Sequence, residues 1–85
     1  LHKFMSPNDV ALKILEGRYV LASVLSKSGG HFWFVFGAKI RDGKVNGFRI
    51  HDPYNVGGNG ENRVLDKNTF NKAFTNRAIS LKANS

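Results

Sequence analysis

The feature that most constrains this chain is a single reversal, Asp42-Gly43, between two apolar segments. The segment before it reads HFWFVFGAKI (31–40), and the one after it reads VNGFRIHD (45–52). Because Asp-Gly readily adopts the positive φ angles of a two-residue turn, the pattern predicts an antiparallel hairpin that ends before Pro53. The first strand is apolar at nearly every position, which predicts that it is covered on both faces and lies centrally in a sheet.

Two short helices are predicted on either side of this hairpin. The first runs through SPNDVALKILEG (6–17), where Ser6 is the N-cap, Asp9 closes a short capping box and Gly17 ends the helix. The second runs through DKNTFNKAF (66–74), where Asp66 is the cap and Phe70 faces inward.

The remaining segments complete the predicted domain. RYVLASVL (18–25) and RAISLKA (77–83) are interpreted as strands, and 26–30 and 54–63 as loops. The order is α-β-β-β-α-β within one small domain, residues 1–85, or the C-terminal part of a larger one. The predicted fold class is therefore α+β: an antiparallel sheet with a central long hairpin, about 31–52, flanked by two short helices.

Composition limits the chemistry. The 85 residues include no cysteine, so the chain itself offers no disulfide, no thiolate ligand and no cysteine nucleophile. No apolar run approaches the roughly 18 residues of a membrane span. The net charge of +7 favours an acidic partner, such as nucleic acid, an anionic membrane surface or an acidic protein. A start at Leu1 suggests a processed chain or an excised domain, and the compartment stays open between secreted and cytoplasmic.

The hairpin register brings a histidine and an aspartate together. With Asp42-Gly43 as the turn, positions that pair across the hairpin add up to 85. Since side chains alternate along a strand, His31 shares a face with the residue opposite Asp52, and the two become diagonal neighbours roughly 7–8 Å apart. The predicted pairs are Trp33 with Asp52, Val35 with Ile50, and Gly37 with Phe48.

An aspartate beside a histidine fixes the ring tautomer and stabilises the imidazolium, as in a nucleophile–His–Asp triad. A satisfied polar pair at the edge of a sheet is the alternative interpretation. His51 is predicted on the opposite face with Arg49. Three dispersed histidines without cysteine predict no metal site, the GGNG stretch lacks the context of a phosphate loop, and no cofactor is predicted.

The segments Gly30-His31-Phe32 and Asp52-Pro53-Tyr54, at this spacing, resemble the second half of a papain-like cysteine peptidase domain. The nearest type is the bacteriocin-processing peptidases that cleave double-glycine leaders. The resemblance, over residues 8–82, implies a papain-like half-domain in which His31 is the general base and Asp52 orients it. It implies a protein or peptide substrate, for which Trp33, Gly30 and Tyr54 are the predicted contacts.

The family's nucleophile is a cysteine that begins a helix upstream, which this chain lacks. The chain is then the C-terminal part of a longer peptidase, the partner of a chain that carries the cysteine, or a non-catalytic binding module.

A different class also fits, namely a small basic ribonuclease or nucleic-acid-binding domain of toxin type. In it His31 or His51 is the acid or base, and an acidic immunity protein is the expected inhibitor. Nucleic acid is the less favoured partner. A ribonuclease predicts that basic residues gather on one face near a histidine, namely Lys39, Arg41, Arg49 and His51. A peptidase fragment predicts an apolar, unfilled flank beside His31.

Overall fold

The computed structural model describes residues 3–26, 29–52 and 63–82. In these residues 66% of positions lie in strands and 24% in helices. The elements in chain order are β1 (Lys3–Phe4), α1 (Pro7–Leu15), β2 (Arg18–Ser26), β3 (Gly29–Arg41), β4 (Lys44–His51), β5 (Arg63–Asp66), α2 (Lys67–Ala73) and β6 (Phe74–Lys82).

The strands form a six-stranded sheet in the order β1-β6-β2-β3-β4-β5, and every neighbouring pair is antiparallel. Strands β2 to β5 follow one another across the sheet, while β6 returns to pair with the other edge of β2. The last strand in the sequence therefore lies beside the first long one.

Both helices begin at the predicted caps. The Ser6 hydroxyl accepts a hydrogen bond from the Asp9 N–H at 3.1 Å, and the Asp9 carboxylate accepts one from the Ser6 N–H at 2.9 Å. Gly17, with φ of +84°, follows the helix, as expected for a glycine that ends one. The Asp66 carboxylate accepts the N–H of Thr69 at 2.7 Å and so caps α2.

The core lies on one face of the sheet, which we call the helix-covered face. Phe70 of α2 is fully buried, with its ring centroid 4.3 Å from that of Phe48 and 5.0 Å from that of Phe74. Val10 of α1 is also fully buried in this cluster. Alternate residues of β2 and β3 complete it, namely Val20, Ala22, Val24, Trp33 and Val35. The intervening residues of these strands point to the other face, which we call the open face.

The predicted fold class is wrong. It was α+β, a papain-like half-domain with an antiparallel sheet whose central long hairpin is flanked by two short helices. The chain is mainly antiparallel β, and its helices are a minor part. The hairpin is also not the centre of the architecture, because β3 pairs with β2 along its length and β2 in turn pairs with β6.

The sequence predicts four of the six strands and misses β1 and β5. β5 has only four residues, and β1 has two, so neither is long enough to show an alternating pattern. β1 is held by tertiary contacts, since Met5 N–H donates to the Asn76 carbonyl at 2.9 Å and the Asn76 amide donates back to the Met5 carbonyl at 3.1 Å. Asn76 has φ of +67°, a conformation that asparagine tolerates better than most residues.

Candidate functional site

The turn of the β3–β4 hairpin forms as predicted. Asp42 and Gly43 have φ of 51° and 75°, and Arg41 pairs with Lys44. Further from the turn the register shifts twice. Asn46 is an extra residue in β4, and Phe36 is an extra residue in β3. One bulge in each strand cancels the other, so the register at the far end returns to the predicted one.

These two bulges decide which predicted pairs occur. Val35 pairs with Ile50, as predicted, whereas Gly37 lies opposite Arg49 and not opposite Phe48. At the end of β4, His51 pairs with Phe34. The next residue, Asp52, therefore comes level with Trp33, although it lies beyond the last paired position.

His31 and Asp52 lie on the same side of the sheet. His31 pairs with Val24, a fully buried core residue, so the imidazole is on the helix-covered face. Asp52 follows buried Ile50 by two residues and is itself only 8% exposed. Both residues are at the end of the hairpin that is farther from the turn. The expected sharing of one face is consistent with this register.

The structure adds Arg63 to this end of the sheet. Arg63 pairs with Ile50 across β4 and β5, and its Nη1 lies 3.8 Å from Oδ2 of Asp52. Its side chain is 36% exposed, so a half-exposed guanidinium faces a nearly buried carboxylate. The sequence predicts a loop at Arg63, because the four residues RVLD are too few to show the alternation of a strand, and no sequence signal places Arg63 beside Asp52.

The three predicted substrate contacts differ in their location and exposure. Trp33 lies in the core, opposite Ala22 and with its ring centroid 6.0 Å from that of Phe70. Its indole Nε1 is buried and has no hydrogen-bond partner among the described residues. Gly30 is exposed and pairs with Leu25. Tyr54 lies outside the described residues.

His51 is on the open face, as its pairing with Phe34 requires. Arg49 shares that face, so the predicted separation of these two residues from His31 is confirmed by the register. The hydroxyl of Ser6 is engaged in capping α1. No group of three metal-ligating side chains occurs within residues 3–26, 29–52 and 63–82. In the same ranges neither helix has the length and apolarity needed to cross a membrane.

No family model, curated protein or solved structure matches this chain.

Proposed function

We propose that His31 and Asp52 are the general base and the orienting carboxylate of a cysteine-peptidase-type hydrolase. The nucleophilic thiol would come from polypeptide outside these 85 residues, which contain no cysteine. The observation that supports the proposal most is the register, which puts the histidine and a nearly buried aspartate on one face at one end of the sheet. The roles of general base and orienting carboxylate do not depend on the fold class predicted from sequence.

The reaction follows from the chemistry of the two groups. The imidazole of His31 takes the proton from the external thiol, and the thiolate attacks the carbonyl carbon of a peptide bond. The imidazolium then donates that proton to the leaving amine, which departs and leaves an acyl-thioester. Water, deprotonated by the same imidazole, hydrolyses the thioester and restores the thiol. Throughout, the carboxylate of Asp52 holds the ring and stabilises its charged form.

Arg63 acts in this proposal as a positioning residue for Asp52. A carboxylate that is 8% exposed needs compensating partners, because a buried charge without them is unfavourable. The guanidinium at 3.8 Å provides one from the solvent side. The ion pair restricts the orientation of the Asp52 carboxylate. It therefore also restricts the direction from which the carboxylate approaches the imidazole.

The resemblance to bacteriocin-processing peptidases supports the same roles, since Gly30-His31-Phe32 and Asp52-Pro53-Tyr54 occur at the family's spacing. A peptide or protein substrate is the corresponding proposal.

The test is peptide hydrolysis by the natural full-length polypeptide that contains this chain. We expect iodoacetamide to abolish the activity, and His31→Ala or Asp52→Asn to lower kcat/KM by at least about 100-fold. His51→Ala is the matched control, because this histidine lies on the opposite face, and it should keep the wild-type rate. Hydrolysis that iodoacetamide does not affect, or hydrolysis by His31→Ala at the wild-type rate, would exclude the proposal.

A further inference from the structure

The open face of the sheet carries a row of aromatic rings. The ring of Tyr19 on β2 lies 5.2 Å from that of Phe34 on β3, and Phe34 stacks on Phe36 at 6.3 Å with 25° between the ring planes. Tyr19 is 38% exposed, and the two phenylalanines are half-buried. None of the three belongs to the buried core cluster. We call these three partly exposed rings the aromatic platform, in which Phe34 and Phe36 are nearly parallel and Tyr19 is tilted by 54° to Phe34.

Basic side chains lie on the same face, next to these rings. His51 pairs with Phe34 and shares its face, and Arg49 pairs with Gly37 further along. Lys39 and Arg41 follow Gly37 at the period of two that keeps strand residues on one side. Ile40, which lies between them, faces the other way, because it lines a cavity of about 510 Å³ with residues of α1.

Gly37 determines how Arg49 lies on this face. A Cβ at residue 37 would come within 3.0 Å of Cδ and 3.2 Å of Cβ of Arg49. The glycine therefore leaves room for the arginine side chain to lie across β3. A guanidinium carried beside an aromatic row can contact a phosphate while a base stacks on the ring.

Four of the five carboxylates among the described residues are engaged elsewhere, and the fifth, Asp42, is exposed in the turn of the hairpin. Those of Asp9 and Asp66 accept hydrogen bonds from backbone N–H groups at the starts of the helices. Glu16 lies 3.8 Å from Lys13 on α1, and Asp52 pairs with Arg63 on the helix-covered face. The aromatic platform is thus bordered by cations on its β3–β4 side, whereas Leu21 and Leu81 pair with Phe34 and Tyr19 on its β2–β6 side. The net charge of the chain is +7.

We propose that the open face binds single-stranded nucleic acid. Bases would stack on Tyr19, Phe34 and Phe36, while Lys39, Arg41 and Arg49 contact phosphates. Partly exposed rings with cations along one border suit a ligand that offers bases for stacking and phosphates for the arginines and lysine. The site is independent of the proposed hydrolase pair, since it occupies the opposite face of the sheet.

Fluorescence anisotropy with labelled oligo(U) and oligo(dT) tests this on the purified chain. Three phosphate contacts on a single strand predict that affinity falls about 20-fold from 50 to 200 mM salt. A labelled duplex of equal charge should bind more weakly than either oligonucleotide, because its bases are already stacked. Equal affinity for the duplex would exclude a stacking site.

The variants separate stacking from bulk charge. Tyr19→Leu should weaken binding at least about fivefold, and Tyr19→Phe should keep it, because only the first removes a ring. Arg49→Gln should reduce the salt slope by about 0.7, whereas Lys72→Gln, of equal charge change but on α2, should leave it unchanged. Circular dichroism confirms that each variant is folded.

Two results would overturn the proposal. One is binding that Lys72→Gln weakens as much as Arg49→Gln does, which would indicate attraction by net charge alone. The other is a chain that binds neither oligonucleotide. If that chain forms dimers that Tyr19→Leu dissociates, the open face is assigned to a second copy of the chain.

Discussion

At the scale of single residues, two glycines in neighbouring strands differ in the space that surrounding atoms leave for a side chain. An added Cβ at Gly47 would lie 2.5 Å from the Leu65 carbonyl oxygen across β4 and β5. At Gly30 the nearest atom would be the Val24 carbonyl oxygen, at an ordinary 3.8 Å. Only the first glycine is required by close approach of the backbone.

Gly47→Ala should therefore lower the free energy of unfolding by about 1–3 kcal/mol, because β5 must shift away from β4. Gly30→Ala is the control and should change it by less than about 0.5 kcal/mol. Urea denaturation of the two variants measures the difference. Equal stability of the two would show that β5 does not pack against β4 as described.

Among single residues, the helix caps are predictable from the sequence, whereas Arg63 is not. Ser6, Asp9 and Asp66 were identified as caps because their side chains act on neighbours three residues away, so the sequence contains the whole interaction. Arg63 was missed, because its partner Asp52 is reached only through the pairing of β5 with β4.

At the scale of elements, α2 has a titratable cap. The N–H of Thr69 donates to the Asp66 carboxylate and, with the Thr69 side chain, lowers the pKa of Asp66 below its ordinary value of 3.8. A pKa that is lower in the folded state contributes stability above 3.8, and this contribution is lost as the pH falls through the folded-state value.

The wild type should therefore lose stability relative to Asp66→Asn as the pH falls below about 4, since asparagine caps without titrating. Thermal unfolding of both proteins between neutral and acidic pH measures this difference. A difference in Tm that does not change with pH would show that the ionised carboxylate does not stabilise the helix.

The hairpin shows what the sequence predicts about an element and what it does not. Asp42-Gly43 specifies the turn, and the pairs nearest to it follow. The bulges at Asn46 and Phe36 have no comparable signature, because they depend on how β4 fits between β3 and β5. The predicted pair of Gly37 with Phe48 is wrong because it lies between the two bulges. The predicted pair of Val35 with Ile50 is correct because the second bulge restores the register.

At the scale of the whole molecule, the sheet divides the chain into two surfaces with different chemistry. The helix-covered face holds the core and, at one end, His31 with Asp52 and Arg63. The open face holds the aromatic row and Arg49. The ribonuclease interpretation requires Lys39, Arg41 and Arg49 on one face with His51, and these four residues lie on the open face, away from His31. The two candidate activities are therefore spatially separate and can be removed independently.

The central claim is that Asp52 orients the His31 ring, and the ¹⁵N spectrum of the histidine side chains tests it most directly. Above neutral pH the ring nitrogens report which tautomer is present. We predict one dominant tautomer at His31 in the wild type and a changed ratio of tautomers in Asp52→Asn, while His51 on the opposite face is the same in both. An unchanged His31 spectrum in Asp52→Asn would contradict the pairing and leave the histidine without its proposed partner.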